Sequence, residues 1–393
     1  MLINMNIGGT EKALLNMINE MSSDQYDVTI LMLEKKGGFL KDIPSHVKVE
    51  ELYEYKRLKK FLNEPLHLSI GRLIKEGKYI CGLILGFIYL ISKINREYSL
   101  LYKYLVRDVE MINNEYDIAI AYAGPMDFIS YFVVNRIRAK KKFQWIHFDV
   151  TKIGFNTRFA KKYYKKFDKI FVVSEEAKIK LHSKLPSLKG FTQKFTNIVS
   201  TKVVQEKAKE KNEILESNNG EIKVLTVGRL SKEKGQDLAI RVLARLKNEG
   251  YKIKWFCLGE GPGREDYEKL IKQCGIESDF ILLGSNSNPY PFMEQCDIYV
   301  QPSRYEGYCL TIMEAMCLNK PILSTEVNGV REQIVDNKTG IIVPVDENEL
   351  YLGLKKLVEN RELRRRLSNN LSIERETNKE NTQKYIKQLS ETL

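Results

Sequence analysis

Two glutamates eight positions apart, Glu306 and Glu314, stand in the segment Pro302-Ser-Arg-Tyr-Glu-Gly-Tyr-Cys-Leu-Thr-Ile-Met-Glu-Ala-Met316. Glu306 lies in a glycine-containing loop after an apolar run, and Glu314 lies in a helical pattern that begins near Thr311. A helix that starts at such a loop aims its free N-terminal amides and the positive end of its dipole at an anion, and Glu314 is then placed to reach a ribose diol. Ile312, Met313, Ala315 and Met316 surround Glu314, and a carboxylate among apolar neighbours is costly unless it is paired or bound to a ligand. The alternative is an ordinary solvent-facing or salt-bridged helical glutamate. A second segment, Gly228-Arg-Leu-Ser-Lys-Glu-Lys-Gly235, joins a strand pattern to a helix pattern. There Arg229 offers a planar fork and Lys234 a point charge, both suited to a diphosphate; a basic surface loop is the bland reading. Gly259-Glu-Gly-Pro-Gly263 follows the next strand and allows close backbone approach, although tight turns in any α/β protein use such glycines. No Asp-x-Asp occurs, so the carboxylate pair that would hold a divalent cation against a diphosphate is absent. Neither metal nor cofactor is expected, and protein cations take over the neutralisation.

These loops require a scaffold that brings them to one edge. Strand patterns at 222–227, 253–258, 280–283, 298–300 and 321–323 alternate with helical patterns at 236–247, 264–273 and 311–318. That alternation predicts a doubly wound parallel sheet, which binds ligands at the carboxyl ends of its strands. The first half has the same grammar: a glycine turn at Gly8-Gly9 opens an amphipathic helix carrying Leu14, Met17, Ile18 and Met21, and strands follow at 28–33, 118–121, 143–146 and 170–173. The charged, Asn-rich stretch 207–220 reads as a surface linker. With 393 residues the chain is long enough for two cores. The expected division is 1–200, 206–375, and a helical tail at 376–393 that packs back on the first domain.

The net charge is +12, from 63 basic and 51 acidic residues. Lysine runs such as Lys140-Lys141-Lys142 interleave with aromatics, which suits solvated faces, anionic lipid headgroups or nucleic acid, but no nucleic-acid motif supports the last. The apolar stretch 79–91 is 13 residues long, short of the roughly 18 needed to span hydrocarbon. It is either a core helix or an interfacial one, and Lys75, Lys78 and Lys93 flank it as they would on an anionic surface. Six scattered cysteines without a Cys-x-x-Cys pair read as buried thiols in a reducing compartment. Residues 1–4 lack the features of a signal peptide, so the expected location is cytoplasmic, peripheral at the inner face of the membrane.

The Glu-x7-Glu segment, with Gly307 after the first glutamate and Ala315-Met316 after the second, resembles the signature of the large family of retaining GT-B glycosyltransferases of the family 4 type, which includes bacterial surface-polysaccharide transferases. Residues 222–360 carry the resemblance through the Gly228–Gly235 loop, Gly259–Gly263, Leu283-Gly284, Asn288-Pro-Tyr290, Pro321-Ile322 and Gly340-Ile-Ile-Val-Pro344. In the first half it rests on Gly8-Gly-Thr-Glu-Lys-Ala-Leu14, Trp145-Ile-His147 and Val173-Ser174. The resemblance implies an α/β GT-B fold, two Rossmann-like domains facing across a cleft. It implies transfer of a hexose from a nucleotide sugar, by family frequency a UDP-sugar, to a lipid-linked or polysaccharide acceptor. Arg229 and Lys234 would clamp the diphosphate and Glu314 the ribose. Glu306 and the amides of Gly307, Tyr308, Cys309 and Leu310 would face the donor sugar, and Gly8 and Gly9 would close over the phosphates. His147 would act at the cleft, although the residues alone favour a satisfied core histidine beside Trp145. Rival functions are a non-catalytic partner subunit and a nucleotide-sugar epimerase of the same architecture. One departure is the start: seven residues precede Gly8, so either the start is assigned too late or the first strand is stunted.

Overall fold

The computed structural model describes residues 1–210, 215–218 and 220–377. Most of the expected C-terminal tail at 376–393 therefore lies outside the described residues. The chain forms two compact units: one holds Met1–Asn6 and Ser23–Phe195, the other Ile7–Ser22 and the described residues from Thr196 to 377. The helix Gly9–Asn19 thus counts with the second unit, whereas the sequence division placed it in the first. The cause is its apolar face: Ala13 joins Val199, Tyr290 and Ile312 in one buried cluster, and the Asn16 side-chain amide donates to the Ile198 carbonyl at 3.0 Å.

In the first unit, β1 (Thr29–Met32) and β2 (Lys48–Glu51) pair in parallel, and β3 (Ile112–Ala121), β4 (Ile137–Ile146), β5 (Lys169–Val172) and β6 (Thr192–Lys194) form a parallel sheet in chain order. The short segment before Gly8 is paired on both sides. Leu2 bridges Met32 in parallel register, the Met1 amine donates to the Ile120 carbonyl at 2.7 Å, and the Tyr122 amide donates to Met1. Leu2 makes a single bridge, and the segment fills the gap between β1 and β3, where Leu2 and Met5 are apolar and fully buried.

The apolar stretch flanked by lysines is the helix Tyr79–Asn95. Only Gly82, Leu85, Ile88 and Ser92 are buried. The opposite row is open to solvent, with Ile80 74%, Leu83 72%, Phe87 65% and Ile94 69% exposed. It is therefore not a helix enclosed in the core. No helix among the described residues is long and apolar enough to cross a membrane.

The second unit carries β7 (Ile222–Val227), β8 (Ile253–Leu258), β9 (Phe280–Gly284), β10 (Ile298–Gln301), β11 (Ile322–Thr325) and β12 (Ile341–Val343). They form one parallel sheet of order β12-β11-β10-β7-β8-β9. These strands are apolar along nearly their whole length because helices cover both faces, as parallel sheets require. From β7 the chain winds outward through β8 and β9, then returns to place β10 on the other side of β7. The strand order reverses between β7 and β10, the position where doubly wound sheets open a crevice at their carboxyl edge.

Candidate functional site

The loops that leave β7 and β10 flank this reversal, and they carry Arg229, Lys234 and Glu306. After β7 the chain makes a single turn at Lys232–Lys234 and enters the helix Gln236–Asn248 through Gly235. Gly235 has φ +71°, and a Cβ there would lie 2.0 Å from the Pro302 carbonyl oxygen, so only glycine fits against the loop after β10. The two loops are also tied by the Arg304 amide, which donates to the Glu233 carbonyl at 2.8 Å, and by a two-pronged Arg304–Asp237 ion pair at 2.7 and 2.6 Å. The glycines of 259–263 serve packing as well. A Cβ on Gly259 would stand 2.0 Å from the Gly228 carbonyl oxygen, so the loop after β8 braces the loop after β7.

These ties bring Lys234 against Glu306. The ammonium donates to both carboxylate oxygens, at 2.7 and 2.8 Å, and the two side chains are 23% and 9% exposed. Burial opposes the charge on Lys234, but the adjacent Glu306 outweighs it with other contacts and holds the lysine above its ordinary range. Arg229 reaches instead to Glu233 at 2.5 Å, with its side chain 65% exposed. It therefore stands on the same loop as Lys234 without joining the Lys234–Glu306 pair.

Glu314 lies on the helix Leu310–Cys317 and is 2% exposed. Burial raises its pKa, while Lys12 and Tyr290 pull in the other direction. The Tyr290 hydroxyl donates to the Glu314 carboxylate at 3.0 Å, and the Lys12 ammonium lies 4.8 Å from the centre of the Tyr290 ring. Glu314 is thus not solvent-facing and, among the described residues, makes no direct ion pair. Gly307, Cys309 and Leu310 are buried at the entrance to this helix; the Cys309 thiol is pushed up to about 12 by burial, with Glu306 adding to the effect, so it stays protonated. Tyr308 packs beside Gly329, where a Cβ would come within 2.8 Å of its ring. Gly8 and Gly9 open the helix Gly9–Asn19, Gly8 as its extended N-cap.

Three residues of this constellation were not singled out in the sequence. Gln301, the last residue of β10, is fully buried. Its side-chain carbonyl accepts from the hydroxyls of Tyr299 at 2.7 Å and Thr311 at 3.0 Å, so its side-chain NH2 points to Ser303 at 2.8 Å and toward Glu306 at 3.4 Å. Ser303 in turn donates to Glu306 at 2.6 Å. Tyr290 is the third. The available signal was polarity in the wrong place: a glutamine ending an otherwise apolar buried strand needs partners.

His147 belongs to the first unit, in the turn that follows β4. Its ring lies 4.6 Å from that of Tyr122 and stacks on Trp145 at 6.1 Å. Burial lowers its pKa to about 3, against a hydrogen bond to the Tyr122 backbone that favours the charged form. The imidazole is therefore neutral, and Nε2 is buried without a hydrogen-bond partner among the described residues.

This fold and this edge define the class: a GT-B protein built from two Rossmann-like domains. Residues 207–372 match the family described as Glycosyl transferases group 1, so this part of the chain is similar to glycosyltransferases of that group. An N-acetylgalactosaminyltransferase of Campylobacter jejuni, named for a diacetylbacillosaminyl-diphospho-undecaprenol acceptor, is 36% identical over 148 residues, 37% of this chain and 40% of that protein. The alpha-D-kanosaminyltransferase of Streptomyces kanamyceticus is 36% identical over 150 residues, 37% of this chain and 39% of that protein. The matches thus span about two fifths of those curated relatives. Among solved structures, Anabaena HepE in complex with UDP and glucose superposes with a TM-score of 0.67 at 17% identity, covering 100% of this chain and 98% of that one. A glycosyltransferase of Rickettsia africae does so with a TM-score of 0.69 at 16% identity, covering 100% and 96%. At such identities the likeness speaks for the fold.

Proposed function

We propose that this protein transfers a hexose from a nucleoside diphosphate sugar to a lipid-linked or polysaccharide acceptor in bacterial surface-polysaccharide assembly. Transfer retains the anomeric configuration and needs no metal. The observation that carries the reading is the Lys234–Glu306 pair at the strand reversal, with Arg229 on the same loop. A diphosphate at that edge meets Lys234, Arg229 and the N-terminal amides of Leu310–Cys317, donors fixed before the reaction begins. Such donors stabilise the charge that develops on a leaving diphosphate. Glu314 accepts from the ribose hydroxyls, Glu306 faces the sugar, and Gly8–Gly9 offer amides to the phosphates. His147 is neutral and its buried Nε2 is an unsatisfied acceptor, which a sugar hydroxyl reaches only once the side chains covering it move aside. UDP is the favoured nucleotide because HepE of the same fold holds UDP, and a lipid-linked acceptor is favoured by the undecaprenol-named relative.

The acceptor reading fits a peripheral position on an anionic membrane. The exposed row Ile80, Leu83, Phe87 and Ile94 presents one apolar helix face, and Lys75 and Lys93 lie exposed beside it.

The test is binding and transfer with UDP- and GDP-sugars, using a polyprenyl-diphosphate-linked saccharide as acceptor in excess chelator. Retained anomeric configuration and an undiminished rate are expected. Lys234→Ala should weaken UDP binding by roughly 1.5–3 kcal/mol, the scale of a charge-assisted hydrogen bond. An inverted product, or a rate abolished by chelator and restored by Mg²⁺, would overturn the corresponding part of the proposal.

A further inference from the structure

Lys234 already has an anion. Its ammonium donates to both oxygens of Glu306 within 2.8 Å, in a setting where less than a quarter of either side chain is exposed. Glu306 is held independently of that lysine. The Ser303 hydroxyl donates to it at 2.6 Å, and that hydroxyl has no freedom to turn elsewhere, because the Gln301 amide donates into its oxygen at 2.8 Å. The Gln301 orientation is fixed in turn by Tyr299 and Thr311 on its carbonyl, and the Ser303 backbone carbonyl accepts from the Thr325 hydroxyl. A row of buried groups thus anchors the carboxylate, while the lysine reaches it on a flexible four-carbon stem.

We propose that Glu306 is a built-in competitor for Lys234 that discriminates the sugar-bearing donor from the nucleoside diphosphate product. The proposal rests on the reading of Lys234 as a diphosphate ligand. A diphosphate that takes the ammonium must separate a largely buried ion pair, and it leaves Glu306 negatively charged and short of a donor beside its own negative charge. Breaking such a pair without replacing the lost partner is strongly unfavourable. A donor carrying a hexose repairs the loss, since an ionised carboxylate is acceptor-only and sugar hydroxyls supply the missing hydrogen bonds. Once the sugar has left, nothing repairs it. Lys234 then returns to Glu306 as the product departs, and the pair favours release of product over donor. Gln301 and Ser303 act as positioning residues, because they keep the carboxylate at the pair's site when the lysine swings away.

The experiment is calorimetric titration of UDP, GDP, inorganic pyrophosphate and UDP-glucose into the wild-type protein, Glu306→Gln, Lys234→Met and the double variant. Glutamine keeps the size of the side chain and its acceptor for Ser303, and a thermal melt of each variant establishes that it is folded. Glu306→Gln should bind UDP and pyrophosphate about tenfold more tightly than wild type, the scale of one charge-assisted hydrogen bond recovered. The preference for UDP-glucose over UDP should shrink, and the tightening should vanish on the Lys234→Met background. Equal or weaker UDP and pyrophosphate binding by folded Glu306→Gln overturns the proposal, as does tightening that persists without Lys234. If wild type binds neither nucleoside diphosphate nor pyrophosphate, the donor reading itself fails, a result distinct from either of these.

Discussion

Burial holds the His147 imidazole neutral down to about pH 3, although an unfolded histidine takes up its proton near 6.5. The sign of the consequence follows from proton counting. Between those two values the unfolded chain binds a proton that the folded chain excludes, so stability rises with pH across that window. Above it the contribution is complete, and it is lost as the pH falls from about 6.5 toward 3, by about 1.4 kcal/mol per pH unit. Because His147 is only 6% exposed, solvent does little to soften the effect. Urea unfolding of wild type and His147→Asn at a series of pH values between 4 and 7 isolates it, since all other groups are common to both. Wild type should lose stability relative to the variant on acidification; parallel curves would mean that the imidazole is protonated in the folded protein.

Among the elements, the turn from β7 into the helix Gln236–Asn248 limits where Lys234 can stand. Gly235 has φ +71° and a Cβ there would meet the Pro302 carbonyl oxygen at 2.0 Å, whereas Gly250 has φ +86° with nothing within 4 Å of its Cβ position. Alanine at either site suffers the left-handed backbone, about 1–2 kcal/mol, but only Gly235→Ala also meets backbone. The expected outcome is that Gly250→Ala loses no more than that amount in denaturant unfolding. Gly235→Ala should lose clearly more and also bind UDP more weakly, because its loop no longer seats Lys234 beside Glu306; equal losses would dismiss the close approach. How far the sequence discloses the site follows from the same distinction. The strands β7 and β8 read directly from 222–227 and 253–258 because they are mostly apolar runs, broken only by Lys223, Thr226 and Lys254, that end in glycine loops. The helix bearing Glu314 was visible from its apolar neighbours. The tie of Gln301 and Ser303 to Glu306 was not, because it depends on how Tyr299 and Thr311 turn one amide. The membership of Gly9–Asn19 in the second unit was hidden for a similar reason: an amphipathic face shows that a helix packs, not on what.

At the scale of the whole molecule, the charge of +12 and one apolar helix face make separable contributions to the proposed membrane position. Residues Ile80, Leu83, Phe87, Leu90 and Ile94 recur at three- and four-residue intervals along Tyr79–Asn95 and are all more than half exposed, so they form a single stripe rather than scattered surface residues. A stripe of this kind weakly favours the acyl boundary by itself, and basic residues near an anionic surface add about 1 kcal/mol each within a Debye length of roughly 8–10 Å. Lys78 contributes less than its position suggests, because its ammonium is paired with Glu76 at 2.8 Å, which leaves Lys75, Lys93 and Arg96 as the exposed cations at the two ends of the helix. Two separable outcomes follow in co-sedimentation with vesicles. Changing Lys75 and Lys93 to Glu should weaken binding to phosphatidylglycerol vesicles and flatten its salt dependence, while Leu83→Ser with Phe87→Ser should weaken it at every salt concentration. Both variants alter exposed positions, so thermal stability should stay near that of wild type. If the wild-type protein does not sediment with anionic vesicles at low salt, the membrane position is wrong and the exposed stripe serves another contact; if it binds neutral vesicles equally well, the apolar face acts without the charges.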